Sequence, residues 1–213
     1  MLSLKIIIGS TRPGRNADRI IPWIIGKAGE HGAFDLDVLD LREWELPMFG
    51  ETLATVGDPR NPTFSAPVVK RWNTAIAEGD AYLFITPEYN HGIPAVLKNA
   101  IDSVFASFAF RGKPAAYVAY SGGIGGGIRS VEHLAQVCIE AEMVPLRSSV
   151  VIPFVEEAFG PDGQPIDPFT GAAAKILLDD LAWWATALQR ARSAGTLPPA
   201  AFRLMAAKEG QGK

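Results

Sequence analysis

Leu4-Lys5-Ile6-Ile7-Ile8-Gly9-Ser10-Thr11-Arg12-Pro13-Gly14-Arg15-Asn16 sets the architecture of this chain. Leu4–Ile8 reads as a buried strand, Gly9 opens a tight loop, and a helix starts after Gly14. A helix N-terminus carries unpaired N–H groups and a partial positive charge. Glycines let the backbone approach a ligand closely. Ser10 and Thr11 add hydroxyls, and Arg12 and Arg15 add guanidinium forks suited to phosphate oxygens. The loop reads as an anion site, with a phosphate as the expected ligand.

The residues narrow which phosphate. Gly9 and Gly14 fit the glycine spacing of a nucleotide-triphosphate loop, G-x-x-x-x-G-K-[ST], but Arg15 and Asn16 replace its lysine and hydroxyl. Thr11 stands where the dinucleotide fingerprint G-x-G-x-x-G has its second glycine. A single terminal phosphate held by Ser10, Thr11, Arg12 and local N–H groups, with Arg15 and Asn16 beside it, fits better. The competing reading is a polar turn whose arginines face water.

Two more loops follow apolar runs. Thr86-Pro87-Glu88-Tyr89-Asn90-His91-Gly92-Ile93-Pro94 comes after Ala81–Ile85. Two prolines stiffen it, and Tyr89, Asn90 and His91 offer a ring, an amide and an imidazole for a planar heterocycle. Ser121-Gly122-Gly123-Ile124-Gly125-Gly126-Gly127 comes after Ala115–Tyr120. It is either a flexible surface loop or a backbone surface laid close to a flat ligand. In an open α/β sheet, all three loops leave the carboxyl ends of strands, where ligands bind at the reversal of strand order.

Together these residues resemble the NAD(P)H-dependent FMN reductases, a family with the flavodoxin-like fold. The resemblance runs over about residues 1–155. It rests on G-S-x-R at Gly9–Arg12, P-E-Y-N at Pro87–Asn90 and the helix Leu97-Lys98-Asn99-Ala100-Ile101-Asp102. Gly112-Lys113-Pro114 at a strand start and the Ser-Gly-Gly loop complete it. The first loop departs from the commoner G-S-x-R-x-x-S-x-N, with Arg15 at the second serine and Ala17 at the asparagine. The resemblance implies that Ser10, Arg12 and nearby N–H groups hold the FMN phosphate. It places Pro87, Glu88, Tyr89 and Asn90 along the ribityl chain and ring, and Ser121, Gly122 and Gly123 at the far part of the flavin. It implies hydride transfer from NADPH, or NADH, to flavin N5 and then to a flavin, quinone, azo or metal-oxyanion acceptor, with no catalytic side chain. An FMN-binding electron carrier without enzyme activity is the alternative on the same fold. A homodimer or homotetramer is also implied.

Composition bounds the rest. The 213 residues, 48% of them hydrophobic, suit one domain with a sizeable core, expected over residues 1–192, and a loose extension over 193–213. A net charge of −3 argues against a nucleic-acid partner. Cys138 is the single cysteine, so no disulfide closes within the chain, and it sits on an apolar helical stripe as a buried thiol. No apolar run reaches membrane-spanning length, the N-terminus enters a strand at once, and a cytoplasmic location is expected. His31 and His133 lack metal-ligand spacing, and no metal is expected.

The alternation of segments predicts strands near 3–9, 35–40, 81–86, 115–120 and 147–152. Helices are predicted near 14–29, 65–78, 94–106, 126–141 and 170–192. This is a three-layer α/β/α sandwich on a five-stranded parallel sheet of order 2-1-3-4-5. Residues 41–63 are left as a long connection with Trp44, Met48 and Phe49, read as a lid or subunit contact.

Overall fold

A computed structural model of the chain describes residues 1–59 and 61–211; Arg60 of the long connection and the last two residues of the C-terminal extension lie outside the described residues. Five parallel strands form one sheet: β1 (Leu2–Ile8), β2 (Phe34–Asp40), β3 (Ala81–Pro87), β4 (Pro114–Tyr120) and β5 (Val144–Ile152), in the order β2-β1-β3-β4-β5. The sequence order and the spatial order reverse between β1 and β3, as expected for a flavodoxin-like sandwich.

Side chains alternate across each strand, and both faces of the central strands are largely apolar. Leu4, Ile6 and Ile8 of β1 join Leu83, Ile85, Val118 and Tyr120 in one core, under helices α1 (Ala17–His31) and α7 (Pro168–Ala194). Ile7, Phe84, Tyr117 and Ala119 face the other core. That core is covered by α4 (Pro67–Ala77), α5 (Ala95–Asp102) and α6 (Ile128–Glu140). Every residue of β3 and β4 is buried, the pattern of central strands in a doubly covered parallel sheet.

Three stretches differ from expectation. The 41–63 connection contains two four-residue helices, α2 (Leu41–Trp44) and α3 (Leu53–Val56), and Trp44 packs edge-on against the buried Trp72. The helix expected over 94–106 ends at Asp102 and passes through a 3-10 turn at Phe105–Ser107. Phe108 then takes a left-handed φ of 54° that turns the chain toward β4. The extension expected to be loose forms α8 (Ala200–Gln211), whose Phe202 ring meets Phe108 at 5.4 Å. Among the described residues no helix is long and apolar enough to cross a membrane.

Candidate functional site

The carboxyl ends of β1, β3 and β4 bring the three loops together. Gly9 lets this happen. A Cβ there would lie 2.9 Å from Leu97 Cδ2 and 3.2 Å from the Ile85 carbonyl oxygen, so a larger residue would force Leu97 and the end of β3 to shift. The Gly9 N–H donates to that same carbonyl at 2.8 Å, tying the first loop to β3. Ser10 is fully buried, and its Oγ lies 2.8 Å from the Tyr89 hydroxyl, joining the first loop to the second. Tyr120, at the end of β4, lies beside Ser10 and Tyr89. Burial raises its phenol above the ordinary value, so it stays protonated through neutral pH.

The first loop presents donors. Among the described residues, the N–H groups of Thr11, Gly14, Arg15 and Asn16 make no hydrogen bond to another protein group. The Arg12 side chain is exposed and, among the described residues, makes no hydrogen bond or ion pair. Arg15 does not join it. Its guanidinium is buried and donates to Asp18 Oδ1 at 2.8 Å, to both Asp40 oxygens at 2.7 and 2.5 Å, and to the Ser10 carbonyl at 2.6 Å. This corrects the expectation of a second phosphate-facing arginine: β2 ends in a carboxylate at Asp40, and a buried charge is stable only when paired. Burial pushes the Asp40 carboxyl up, but bonds from Arg15 and the Arg42 N–H outweigh it and hold the carboxyl below its ordinary value. Asn16 is a helix N-cap without a side-chain cap bond, and Thr11 lines a small cavity of about 270 Å³ with Arg42, Val96 and Asn99.

The second loop is a tight turn. Tyr89 N–H donates to the Gly92 carbonyl at 2.9 Å, and Gly92 N–H returns to the Tyr89 carbonyl at 3.2 Å. Asn90 and His91 between them have φ of 50° and 73°. Positive φ at both central positions is the type I′ pattern, which asparagine tolerates best among the residues with a Cβ. Ser130 of α6 anchors the turn, its fully buried Oγ donating to the Pro87 and Gly92 carbonyls at 3.0 and 2.8 Å. Glu88 pairs through Oε1 with Arg129 Nη1 at 2.6 Å, while Oε2 is buried with no hydrogen-bond partner.

The glycine loop divides in two. Gly126 and Gly127 have positive φ, and a Cβ at either would strike backbone: Pro153 N at 2.9 Å from Gly126 and Tyr120 N at 2.5 Å from Gly127. They pack the loop against β4 and β5. Gly122 and Gly123 are exposed with open space on the Cβ side, and the Ser121 Oγ donates to the Gly123 carbonyl at 2.9 Å. A Cβ at Gly125 would instead meet Arg129 Nη1 at 3.2 Å and Glu88 Oε2 of the second loop at 3.9 Å.

Residues that sequence reasoning passed over hold the site in place. Arg42 donates to the Arg12 carbonyl at 2.6 Å and pairs with Asp18. Asn99 clamps the long connection, its amide donating to the Pro47 carbonyl at 2.9 Å and its oxygen accepting from Phe49 N–H at 2.7 Å. Both were visible as polar residues in telling places: Arg42 just beyond a strand adjacent to β1, and Asn99 in α5 between the buried Leu97 and Ile101. Cys138 is buried on α6, and its thiol is pushed up to about 12 by burial, a structural thiol as expected. Among the described residues no group of three His, Cys, Asp or Glu side chains is placed to hold a metal ion.

Comparison with known proteins agrees with this geometry. The family model described as NADPH-dependent FMN reductase matches residues 3–157. An NAD(P)H-dependent FMN reductase of Schizosaccharomyces pombe is 33% identical over 153 residues, covering 70% of this chain and 73% of that protein. A quinone reductase of Pseudomonas putida is 34% identical over 144 residues, covering 66% of this chain and 72% of its own length. Among solved structures, the flavoenzyme NAD(P)H:(acceptor) oxidoreductase FerB of Paracoccus denitrificans superposes with a TM-score of 0.68 at 25% identity, covering 87% of this chain and 98% of its own.

Proposed function

The chain belongs to the NADPH-dependent FMN reductase family, and from that membership we propose an NAD(P)H-dependent oxidoreductase that holds FMN in the three loops and reduces a small acceptor. The observation that carries this is the row of unpaired N–H groups at Thr11, Gly14, Arg15 and Asn16, linked through the Ser10–Tyr89 bond to the second loop. The residues fit a flavin mononucleotide in three respects. The free N–H groups and Arg12 suit a phosphate dianion. The buried, unpartnered Glu88 Oε2 is an acceptor for a ring N–H. The open faces of Gly122 and Gly123 admit a flat ring.

FMN, when bound, supplies the two-electron chemistry, taking hydride from a reduced nicotinamide and delivering it to the acceptor. The chain's own residues bind and orient. Arg12 and the first-loop N–H groups hold the phosphate. The Pro87–Asn90 turn, fixed by Ser130, flanks the ring, and Ser121–Gly123 approach its far part. The Tyr120 phenol is a donor at neutral pH rather than a base. No side chain is assigned a proton-transfer role.

Quinones and free flavins are the first acceptors to test, since relatives of both names resemble this chain. Azo compounds and metal oxyanions follow, and NADPH is the first donor. A homodimer or homotetramer is supported by exposed apolar residues: Val96 and Phe105 around α5, and Phe169, Ile176 and Trp183 at seven-residue spacing on α7. A monomer by light scattering at micromolar concentration would overturn that assembly.

The test is an anaerobic absorbance trace of the purified chain with FMN, before and after NADPH and then NADH. Rapid bleaching of bound flavin is expected. Bound flavin that stays oxidised with both donors would make the chain a carrier instead, and no binding at all would remove the cofactor reading.

A further inference from the structure

The Arg15 network does more than bury a charge. Arg15 grips the Ser10 carbonyl at 2.6 Å, and Arg42 grips the Arg12 carbonyl at 2.6 Å. Both arginines are anchored below the loop, Arg15 on Asp40 and Asp18, Arg42 on Asp18 and through its own N–H on Asp40. Across a trans peptide the C=O and the following N–H point in opposite directions. Holding the Ser10 carbonyl toward Arg15 therefore aims the Thr11 N–H away from it, toward the open side of the loop. Holding the Arg12 carbonyl withdraws no donor, because Pro13 has no N–H. The two arginines draw carbonyl oxygens, which would repel an anion, out of the loop surface and leave donors there.

Charge balance points the same way. Asp40 is one hydrogen-bonded side chain away from Ser10: its carboxylate meets Arg15, and Arg15 meets the Ser10 carbonyl. Unpaired, that carboxylate would set a negative charge beside a phosphate site. Bidentate pairing with Arg15 cancels it.

We propose that Arg15 and Asp40 form a positioning pair, in which Arg15 aims the Thr11 N–H at the cofactor phosphate and screens the phosphate from Asp40, leaving Arg12 as the loop cation that touches the phosphate. This rests on the FMN reading above. It assigns to the side chain of this arginine, at the position where the commoner loop has a serine, a role in cofactor affinity in which the guanidinium itself does not touch the cofactor.

The experiment compares FMN with riboflavin, which lacks the phosphate, by quenching of flavin fluorescence on the flavin-free full chain. Thermal melts of each variant run alongside. Wild type is expected to bind FMN more tightly than riboflavin. Arg15→Met is expected to lower FMN affinity about 10- to 100-fold, the scale of charge-assisted hydrogen bonds, with riboflavin affinity held within about twofold. Adding Asp40→Asn to Arg15→Met is expected to recover part of the FMN loss, because the uncompensated carboxylate is gone. Arg15→Lys keeps the charge but not the fork, and serves if Arg15→Met does not fold; it is expected to weaken FMN selectively by a smaller factor. Equal losses for FMN and riboflavin, an unchanged preference for FMN, or no recovery in the double variant would each overturn the positioning role. A wild type that binds both flavins equally would instead overturn the phosphate reading itself.

Discussion

Alanine placed at Gly126 and at Gly123 separates packing from binding in one loop. At Gly126 the added Cβ falls 2.6 Å from Val151 Cγ1, 2.9 Å from Pro153 N and 3.2 Å from the Ile152 carbonyl carbon, with φ at +59°. The left-handed backbone costs an alanine about 1–2 kcal/mol. Displacing the β5 exit to make room costs about 1–3 kcal/mol more. The sum, about 2–5 kcal/mol, is a large part of the 5–15 kcal/mol typical of a domain. At Gly123 the same methyl meets nothing within 4 Å, and φ is not positive. Its effect on stability is expected to stay within about 0.5 kcal/mol. There the methyl occupies space proposed for the flavin ring, and flavin affinity is expected to fall by about 1–3 kcal/mol, the usual cost of overpacking. Urea denaturation followed by tryptophan fluorescence reads the first effect, and FMN titration the second. If Gly126→Ala unfolds at the wild-type urea concentration, the packing argument is wrong. If Gly123→Ala binds FMN as wild type does, the loop does not approach the cofactor.

Three further outcomes follow from particular contacts. Arg12→Ala is expected to weaken FMN binding by about 1.5–3 kcal/mol with riboflavin unaffected; an unchanged FMN titration would remove Arg12 from the phosphate site. Asn99→Ala breaks two bonds to the long connection, and protease cleavage within 47–52 should accelerate; a wild-type cleavage rate would show that the clamp is dispensable. Lys113 is buried, and burial pushes its amine down to about 7, with Arg192 and Lys5 acting in the same direction against Asp80. The folded value lies below the unfolded one of about 10.4, so between them the unfolded chain binds more protons and stability rises with pH. The slope is about 1.4 kcal/mol per unit. From pH 7.5 to 9.5 wild type should gain about 2–3 kcal/mol over Lys113→Met in urea unfolding, and parallel profiles would refute the depressed amine.

The sheet was legible because its signals are repetitive. Ala81–Ile85 and Ala115–Tyr120 are unbroken apolar runs and Leu4–Ile8 is broken only by Lys5, and a strand buried on both faces needs little else to announce it. Strand order followed from alternation with helices and from the handedness of crossovers. The connection 41–63 resisted, since helices of four residues such as Leu41–Trp44 carry barely one turn of periodicity. The tail resisted for another reason: α8 has no strong apolar face, and Phe202 finds Phe108 only after a left-handed turn brings that ring outward.

Within the site, residue type announced chemistry but not partner. Arg12 and Arg15 carry the same guanidinium three positions apart, yet one faces solvent and the other turns under the loop. What separates them is Asp40, twenty-five residues away in sequence and one strand away in space. The order 2-1-3 already places the end of β2 beside the first loop, so a carboxylate at Asp40 was a visible competitor for either arginine. Arg15 lies two residues before α1, within reach of Asp18 on its first turn as well as Asp40, and the two carboxylates hold its buried cation. The same logic divides the glycines: Gly126 and Gly127 are fixed by the backbones of β4 and β5, whereas a Cβ at Gly122 or Gly123 meets nothing within 4 Å, which is why the proposed flavin site uses them. A motif becomes a candidate site where the fold leaves its groups unpaired, and the proposed site takes the first-loop N–H donors, Arg12, Glu88 Oε2 and the open half of the glycine loop.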